Sequence, residues 1–242
     1  RHKKGYVNLL LAQHKRSTHP GDDAAMVAGR REVLNAGYYQ PLAKKMAELI
    51  ASSDSKIVLD AGCGEGYYLN QLLQFNPDLN GYGFDISKPA IQFASCYKQF
   101  EWAVASSARM PYANATFDLV ISVFSRVGNE EFLRVLKPNG FVLFAGPGPQ
   151  HLIALRKLVY SKIRSYDTEK HHEYFDKQFK LIDSVKLQVP FTLGDNRQIQ
   201  NLLSMTPHSQ RITREAQQGL LNVDSLEDVA DFRLYLYQVS SL

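Results

Sequence analysis

From Lys56 onward, short runs of β-branched and aromatic apolar residues alternate with stretches whose apolar positions recur at helical spacing. That alternation is the pattern of a parallel sheet wound with crossover helices. The runs predict strands over 56–61, 81–86, 102–106, 117–124 and 141–145. Several are apolar throughout, as strands covered on both faces are. Helical spacing predicts helices over 67–75, 88–97, 129–136 and 151–160, with Lys137-Pro138-Asn139-Gly140 stopping the third. Toward the C-terminus, 185–191 and 232–239 add two edge strands, and a helix around 198–205 covers one face. The fold class is therefore α/β, with a mostly parallel, seven-stranded sheet over 36–242. Residues 1–35 show no such periodicity and predict a mostly irregular arm with a turn at Pro20-Gly21-Asp22.

Composition narrows the function classes. At 242 residues, 45% of them hydrophobic, the chain can bury one sizeable core plus a small extension. No stretch reaches the roughly 20 apolar residues of a membrane helix, and Arg1-His2-Lys3-Lys4 leads into no signal-like run. The expectation is a soluble cytoplasmic protein without a membrane partner. Two cysteines, Cys63 and Cys96, exclude a disulfide framework and a four-cysteine metal site. The net charge of +4 is uneven, because residues 1–50 carry nine Lys and Arg against four Asp and Glu. A basic arm on a near-neutral body points to a polyanion, with Lys15, Arg16, Arg30 and Arg31 as candidate phosphate contacts.

The chemistry centres on Asp60-Ala61-Gly62-Cys63-Gly64-Glu65-Gly66, which joins the first buried strand to a helix. Alternating glycines let the backbone turn sharply and let a ligand lie against bare main chain. Tyr67 stands where a dinucleotide fingerprint needs its third glycine, so the spacing favours S-adenosylmethionine. Asp85 ends the next strand, placed to accept hydrogen bonds from both ribose hydroxyls. Asp60, Gly62, Gly64, Gly66, Asp85 and Ser106 are accordingly cofactor candidates, although Asp60 serves equally well as an organiser of the loop. Three further segments, Arg109-Met110-Pro111-Tyr112, Phe117-Asp118-Leu119-Val120-Ile121 and Leu133-Arg134-Val135-Leu136-Lys137-Pro138-Asn139-Gly140, resemble in order and spacing those of class I S-adenosylmethionine-dependent methyltransferases, a Rossmann-like fold. Cys63 reads as a small loop filler, at least one of Tyr67 and Tyr68 as core, and His171-His172-Glu173 as a solvated loop.

Outside the cofactor motifs, Lys4-Gly5-Tyr6-Val7-Asn8-Leu9-Leu10, Gln13-His14-Lys15-Arg16-Ser17, Pro20-Gly21-Asp22, Ala36-Gly37-Tyr38-Tyr39-Gln40-Pro41-Leu42, Pro147-Gly148-Pro149-Gln150-His151-Leu152 and Met205-Thr206-Pro207 carry a more specific likeness. The chain resembles the bacterial 23S ribosomal RNA guanine-N1 methyltransferases, some of which confer resistance to macrolides such as tylosin. The resemblance implies methyl transfer from S-adenosylmethionine to N1 of a guanine in a 23S rRNA hairpin loop, a homodimer, and cofactor contacts from Tyr39, Gly64, Glu65 and His151. Family members begin with a zinc ribbon of three cysteines and a histidine, whereas this chain opens at Arg1-His2 with no cysteine nearby. The expectation is that His2 is the last ligand of a ribbon lying ahead of it, with zinc bound only in the full-length protein. A second departure is Phe124-Ser125-Arg126, where the family tends to have proline in place of Arg126.

Guanine N1 carries a proton at neutral pH, so a base or an anion-stabilising group should assist its attack. No catalytic residue stands out: His14, Asp22 and His208 can be drawn near the cleft, but a structural or RNA-contacting role is the plainer reading of each. N1 is reached only in an unstacked base, which Tyr39 or Tyr68 would stack upon. Two other readings remain: a small-molecule methyltransferase, which shares the core motifs but would not need the basic arm, and a non-catalytic binder of S-adenosylmethionine or RNA.

Overall fold

The buried runs become one eight-stranded sheet in the computed structural model, which describes residues 2–10, 20–168, 175 and 178–240. Its strands are β1 (Tyr6–Asn8), β2 (Ile57–Ala61), β3 (Asn80–Asp85), β4 (Glu101–Val104), β5 (Phe117–Val123), β6 (Leu136–Pro147), β7 (Phe179–Leu193) and β8 (Leu226–Val239), in spatial order β1-β4-β3-β2-β5-β6-β8-β7. Pairing is parallel from β1 to β6, and β8 runs antiparallel to both β6 and β7. The chain winds outward from β2 to β4, then returns to place β5 on the other side of β2. That reversal opens a crevice at the carboxyl ends of β2 and β5, where open α/β sheets bind ligands.

The helices are α1 (Ala24–Asn35), α2 (Gln40–Ile50), α3 (Tyr67–Phe75), α4 (Lys88–Ala94), α5 (Asn129–Val135), α6 (Ile153–Val159), α7 (Asn196–Ser204) and α8 (Arg214–Leu221). Successive strand residues feed opposite cores. Leu119, Ile121, Leu143 and Ala145 pack with residues of α2, α3, α4 and α7, while Val120, Val142 and Phe144 pack with Phe132 and Val135 of α5. Both faces being covered, the central strands are apolar at nearly every position.

The N-terminal region differs from the mostly irregular arm expected. Tyr6, Val7 and Asn8 pair in parallel with Trp102, Ala103 and Val104, which gives the sheet an eighth strand. Residues 24–35 form α1, whose start is capped by the Asp23 carboxylate accepting from Met26 N at 2.9 Å. Gly29 lets α1 lie close on α7, since a β-carbon there would meet the Ser204 side chain. The two C-terminal strands also differ from expectation: β8 is interior, between β6 and β7, and only β7 is an edge. His14, Lys15, Arg16, His171, His172 and Glu173 lie outside the described residues. Among the described residues no helix is long and apolar enough to cross a membrane.

Trp102 keys the sheet to the glycine loop. Its indole Nε1 donates to Tyr97 O at 3.0 Å, which fixes the ring over Gly66 and Gly83. A β-carbon on Gly66 would sit 2.7 Å from Trp102 Cη2, and one on Gly83 would overlap the indole and come 3.1 Å from Cys63 Sγ. Gly83→Ala should therefore destabilise the fold by about 1–3 kcal/mol through overpacking. Urea unfolding followed by Trp102 emission, the chain's single tryptophan, measures it, and an unchanged midpoint would show that the ring is free to move away.

Candidate cofactor-binding site

β2 delivers the chain into Gly62, Gly64 and Gly66, all three in the left-handed region with φ of 83°, 54° and 82°. A side chain at any of them is strained, which accounts for the alternation seen in the sequence. Gly62 N and Cys63 N donate to Phe84 O at 2.9 and 3.0 Å, so the loop is hung from the end of β3. Asp85 completes the attachment: Oδ2 accepts from Gly64 N at 3.0 Å and Oδ1 from Ser87 N at 2.7 Å. Ser87 in turn caps α4 by accepting from Ala90 N at 3.2 Å.

A cavity of about 1150 Å³ opens above these groups, lined by Gly62, Asp85, Ile86, Ser106, Met110 and Ser125 among others. Burial raises the Asp85 carboxyl, against which Ser87 N, Gly64 N and the Arg30 charge act. Asp60 is buried behind the loop, and its Oδ2 has no hydrogen-bond partner. Burial first, and the Asp85 charge second, push its carboxyl well above the usual carboxylate range. The Tyr39 hydroxyl is also buried and unpartnered. Orphaned buried polar atoms are costly unless a ligand or water meets them. Beside a cradle of bare backbone, the orphaned Asp60 oxygen fits a polar cofactor.

The other candidates occupy distinct places. Gly64, Glu65 and Gly66 complete the loop, and burial lifts the Glu65 carboxyl to about 7 against the pull of Arg30 and Arg31. Tyr39 and His151 do not line the cavity. They form an aromatic cluster with Phe124 and Phe232, with ring centroids of His151 and Phe124 5.3 Å apart, and Phe124 is followed directly by the cavity residue Ser125. His151 Nδ1 lies 3.0 Å from Asp231 O, and burial lowers the imidazole to about 4. A neutral ring beside a carbonyl must carry its hydrogen on Nδ1, leaving Nε2 as an acceptor.

Arg30, a candidate phosphate contact, is already engaged within the protein. Its guanidinium is ion-paired with Asp22 and donates to Met205 O at 3.5 Å. Burial opposes its charge, but Asp22, Glu65 and Asp85 outweigh that and raise its pKa. Arg31 remains partly exposed, 5.5 Å above the Phe93 ring. Asp22 is thus engaged, and so is His208, whose ring nitrogens meet the Tyr160 and Tyr166 hydroxyls at 3.0 and 3.1 Å. Burial raises the Cys63 thiol well above its usual value, consistent with a loop filler. His2 stacks on Tyr6 with centroids 4.6 Å apart, and no group of three His, Cys, Asp or Glu is placed to hold a metal among the described residues. Those residues alone do not fit zinc.

Sequence reasoning overlooked Ser125, whose Oγ donates to Ala61 O and whose β-carbon lies against Gly62. It also overlooked Arg109, which is exposed on the cavity rim together with Arg126. Neither was singled out as a site residue: the return of β5 beside β2 brings Ser125 to the cavity, and Arg109 reaches it from the segment that follows β4.

Residues 58–140 match the family model of a methyltransferase domain. Among solved structures, a Haloferax volcanii protein provisionally named a methyltransferase, in complex with the Trm112 methyltransferase activator, superposes with a TM-score of 0.58 at 18% identity, covering 91% of this chain and 99% of that one. The [4+2]-cyclase SpnF does so with a TM-score of 0.56 at 16% identity, over 84% and 82%. Sheet order, glycine loop and strand-end carboxylate together define a class I S-adenosylmethionine-dependent methyltransferase. A relative in Bacillus subtilis (strain 168), provisionally named a 23S rRNA (guanine-N(1)-)-methyltransferase, is 36% identical over 216 residues, 85% of this chain and 75% of the relative. The 23S rRNA (guanine(748)-N(1))-methyltransferase of Streptomyces fradiae is 28% identical over 214 residues, covering 86% and 75%. The chain belongs to the 23S rRNA (guanine-N1)-methyltransferase family.

His151 sets a pH dependence. Its folded pKa of about 4 lies below the ordinary 6.5, so above pH 6.5 its contribution is fully present. As the pH falls from 6.5 toward 4, the unfolded chain takes up a proton that the folded one refuses, and stability declines. His151→Asn should remove up to about 3 kcal/mol of that decline. Urea unfolding of both proteins from pH 7.5 to 4 checks it, with parallel profiles as the contrary result.

Proposed function

We propose that this chain transfers a methyl group from S-adenosylmethionine to N1 of a guanine in a 23S rRNA hairpin loop. The observation that carries the reading is the Asp85-anchored glycine loop opening on a large cavity at the reversal of the sheet, in a chain of this family. Asp85 would hold the ribose hydroxyls, the backbone of Gly62 and Gly64 the adjoining part of the cofactor, and Ser106 the adenine side. Asp60, Glu65, Gly66, Tyr39 and His151 would complete the site. The bound cofactor supplies an activated methyl group, so the protein's part is alignment and electrostatics. His151 offers an unprotonated Nε2 beside Tyr39 and Phe124.

For RNA, Arg31, Arg109 and Arg126 present cationic groups on the described surface, and Lys15 and Arg16 extend the same basic character. The reading places the protein in the cytoplasm with its substrate. It also includes the homodimer, which light scattering measures directly.

Incubation with methyl-labelled S-adenosylmethionine and deproteinised 23S rRNA should give incorporation into the RNA. Primer extension should stop at one guanine, because a methyl on N1 blocks base pairing. Label entering small acceptors and not RNA would establish the small-molecule reading in its place, and no transfer at all would leave a binding protein.

A further inference from the structure

Methylation at N1 requires the guanine to leave its stack, and the stacking it loses must be replaced by a protein surface. Neither aromatic expected for that purpose is suited to it. Tyr39 is 1% exposed and holds the centre of its aromatic cluster, and Tyr68 is packed edge-on against Tyr67 and touches the main core.

Phe124 has the required properties. It is 43% exposed, which is unusual for a phenylalanine directly following a central strand. Its backbone φ of 51° lies in the left-handed region, a strained conformation for a bulky residue and one that tends to be kept at functional sites. The strain is held by Phe124 N donating to Ala145 O at 2.9 Å and by the next residue, Ser125, donating to Ala61 O. The ring is backed by Tyr39, His151 and Phe232, with centroids 6.4, 5.3 and 5.9 Å away. A rigid aromatic pillar thus stands at the carboxyl end of β5, one residue from the cavity wall, with one side open.

On the reading of the chain as an rRNA guanine methyltransferase, we infer that Phe124 is the platform on which the unstacked target guanine lies. Arg126, two residues on and exposed at the cavity rim, is on the side where the flanking phosphates would pass.

Three variants test this. Phe124→Leu keeps an apolar side chain of similar size without a π face, and Phe124→Tyr and Phe124→Trp keep the face. With 23S rRNA as substrate, kcat/KM should fall roughly 10- to 100-fold in the Leu variant and stay within about threefold of wild type in the Tyr variant. S-adenosylmethionine affinity and urea midpoint should be unchanged in both, which a merely structural role would not give. In Phe124→Trp, the new exposed indole should be quenched on titration with deproteinised 23S rRNA, against the constant signal of buried Trp102. Full activity in the Leu variant, or an indole unquenched at saturating RNA, overturns the platform while leaving the RNA reading intact. Wild-type protein that neither methylates nor binds the RNA would instead overturn the RNA reading, and the platform with it.

Discussion

One carboxylate joins the parts of this site. Asp85 accepts from Gly64 N and Ser87 N, so the loop after β2 and the start of α4 are referenced to the same two oxygens. Each oxygen keeps a lone-pair direction for a ligand hydroxyl. The arrangement concentrates acid, because Asp60, Glu65 and Asp85 are all buried enough to have raised pKa values. Arg30 is a cation that acts against this for Glu65 and Asp85, itself held in place by Asp22 and the Met205 carbonyl. Residues from the N-terminal region, the sheet and the far end of the chain therefore meet at one electrostatic balance.

A second buried carboxylate organises the other half of the carboxyl edge. Asp231 is fully buried, with Oδ2 accepting from Gln150 N at 2.9 Å and Oδ1 from Arg233 Nη1 at 2.6 Å. Its backbone carbonyl takes Gly148 N and faces His151 Nδ1. Gly148 is required there, since a β-carbon would run into the Asp231 carboxylate. The segment after β6 is thus turned so that His151 packs against Tyr39 and Phe124 rather than pointing into solvent. Two hydrogen-bonded carboxylates thus stand one on each side of the reversal between β2 and β5.

Much of this was legible before the structure. The five central strands, the helix beginning at Tyr67 and the loop of alternating glycines follow from periodicity and local backbone constraint. Asp85 was legible because a strand end fixes where its carboxylate stands. What escaped depends on partners distant in sequence. β1 is three residues long and exists only through its pairing with β4. α1 carries Gly29 and adjacent arginines, a poor local signal that packing on α7 overrides. α2 did have a local signature, a proline in its first turn and Leu42, Met46, Leu49 and Ile50 on one face, and reading the region as a family motif obscured it. The pairing of Arg30 with Asp22 was not legible, because charge in a sequence does not reveal whether the group is paired. Phe124 could not be told from a core phenylalanine, as its exposure and its φ exist only in the fold.

The central claim is that the carboxylate organising the loop also receives the cofactor. Calorimetric titration of Asp85→Ala with S-adenosylmethionine tests it most directly, with Trp102 emission confirming that the sheet is intact. The account predicts at least about a tenfold loss of affinity, from the missing charge-assisted hydrogen bonds and the released loop. Wild-type affinity in a folded Asp85→Ala protein would contradict it.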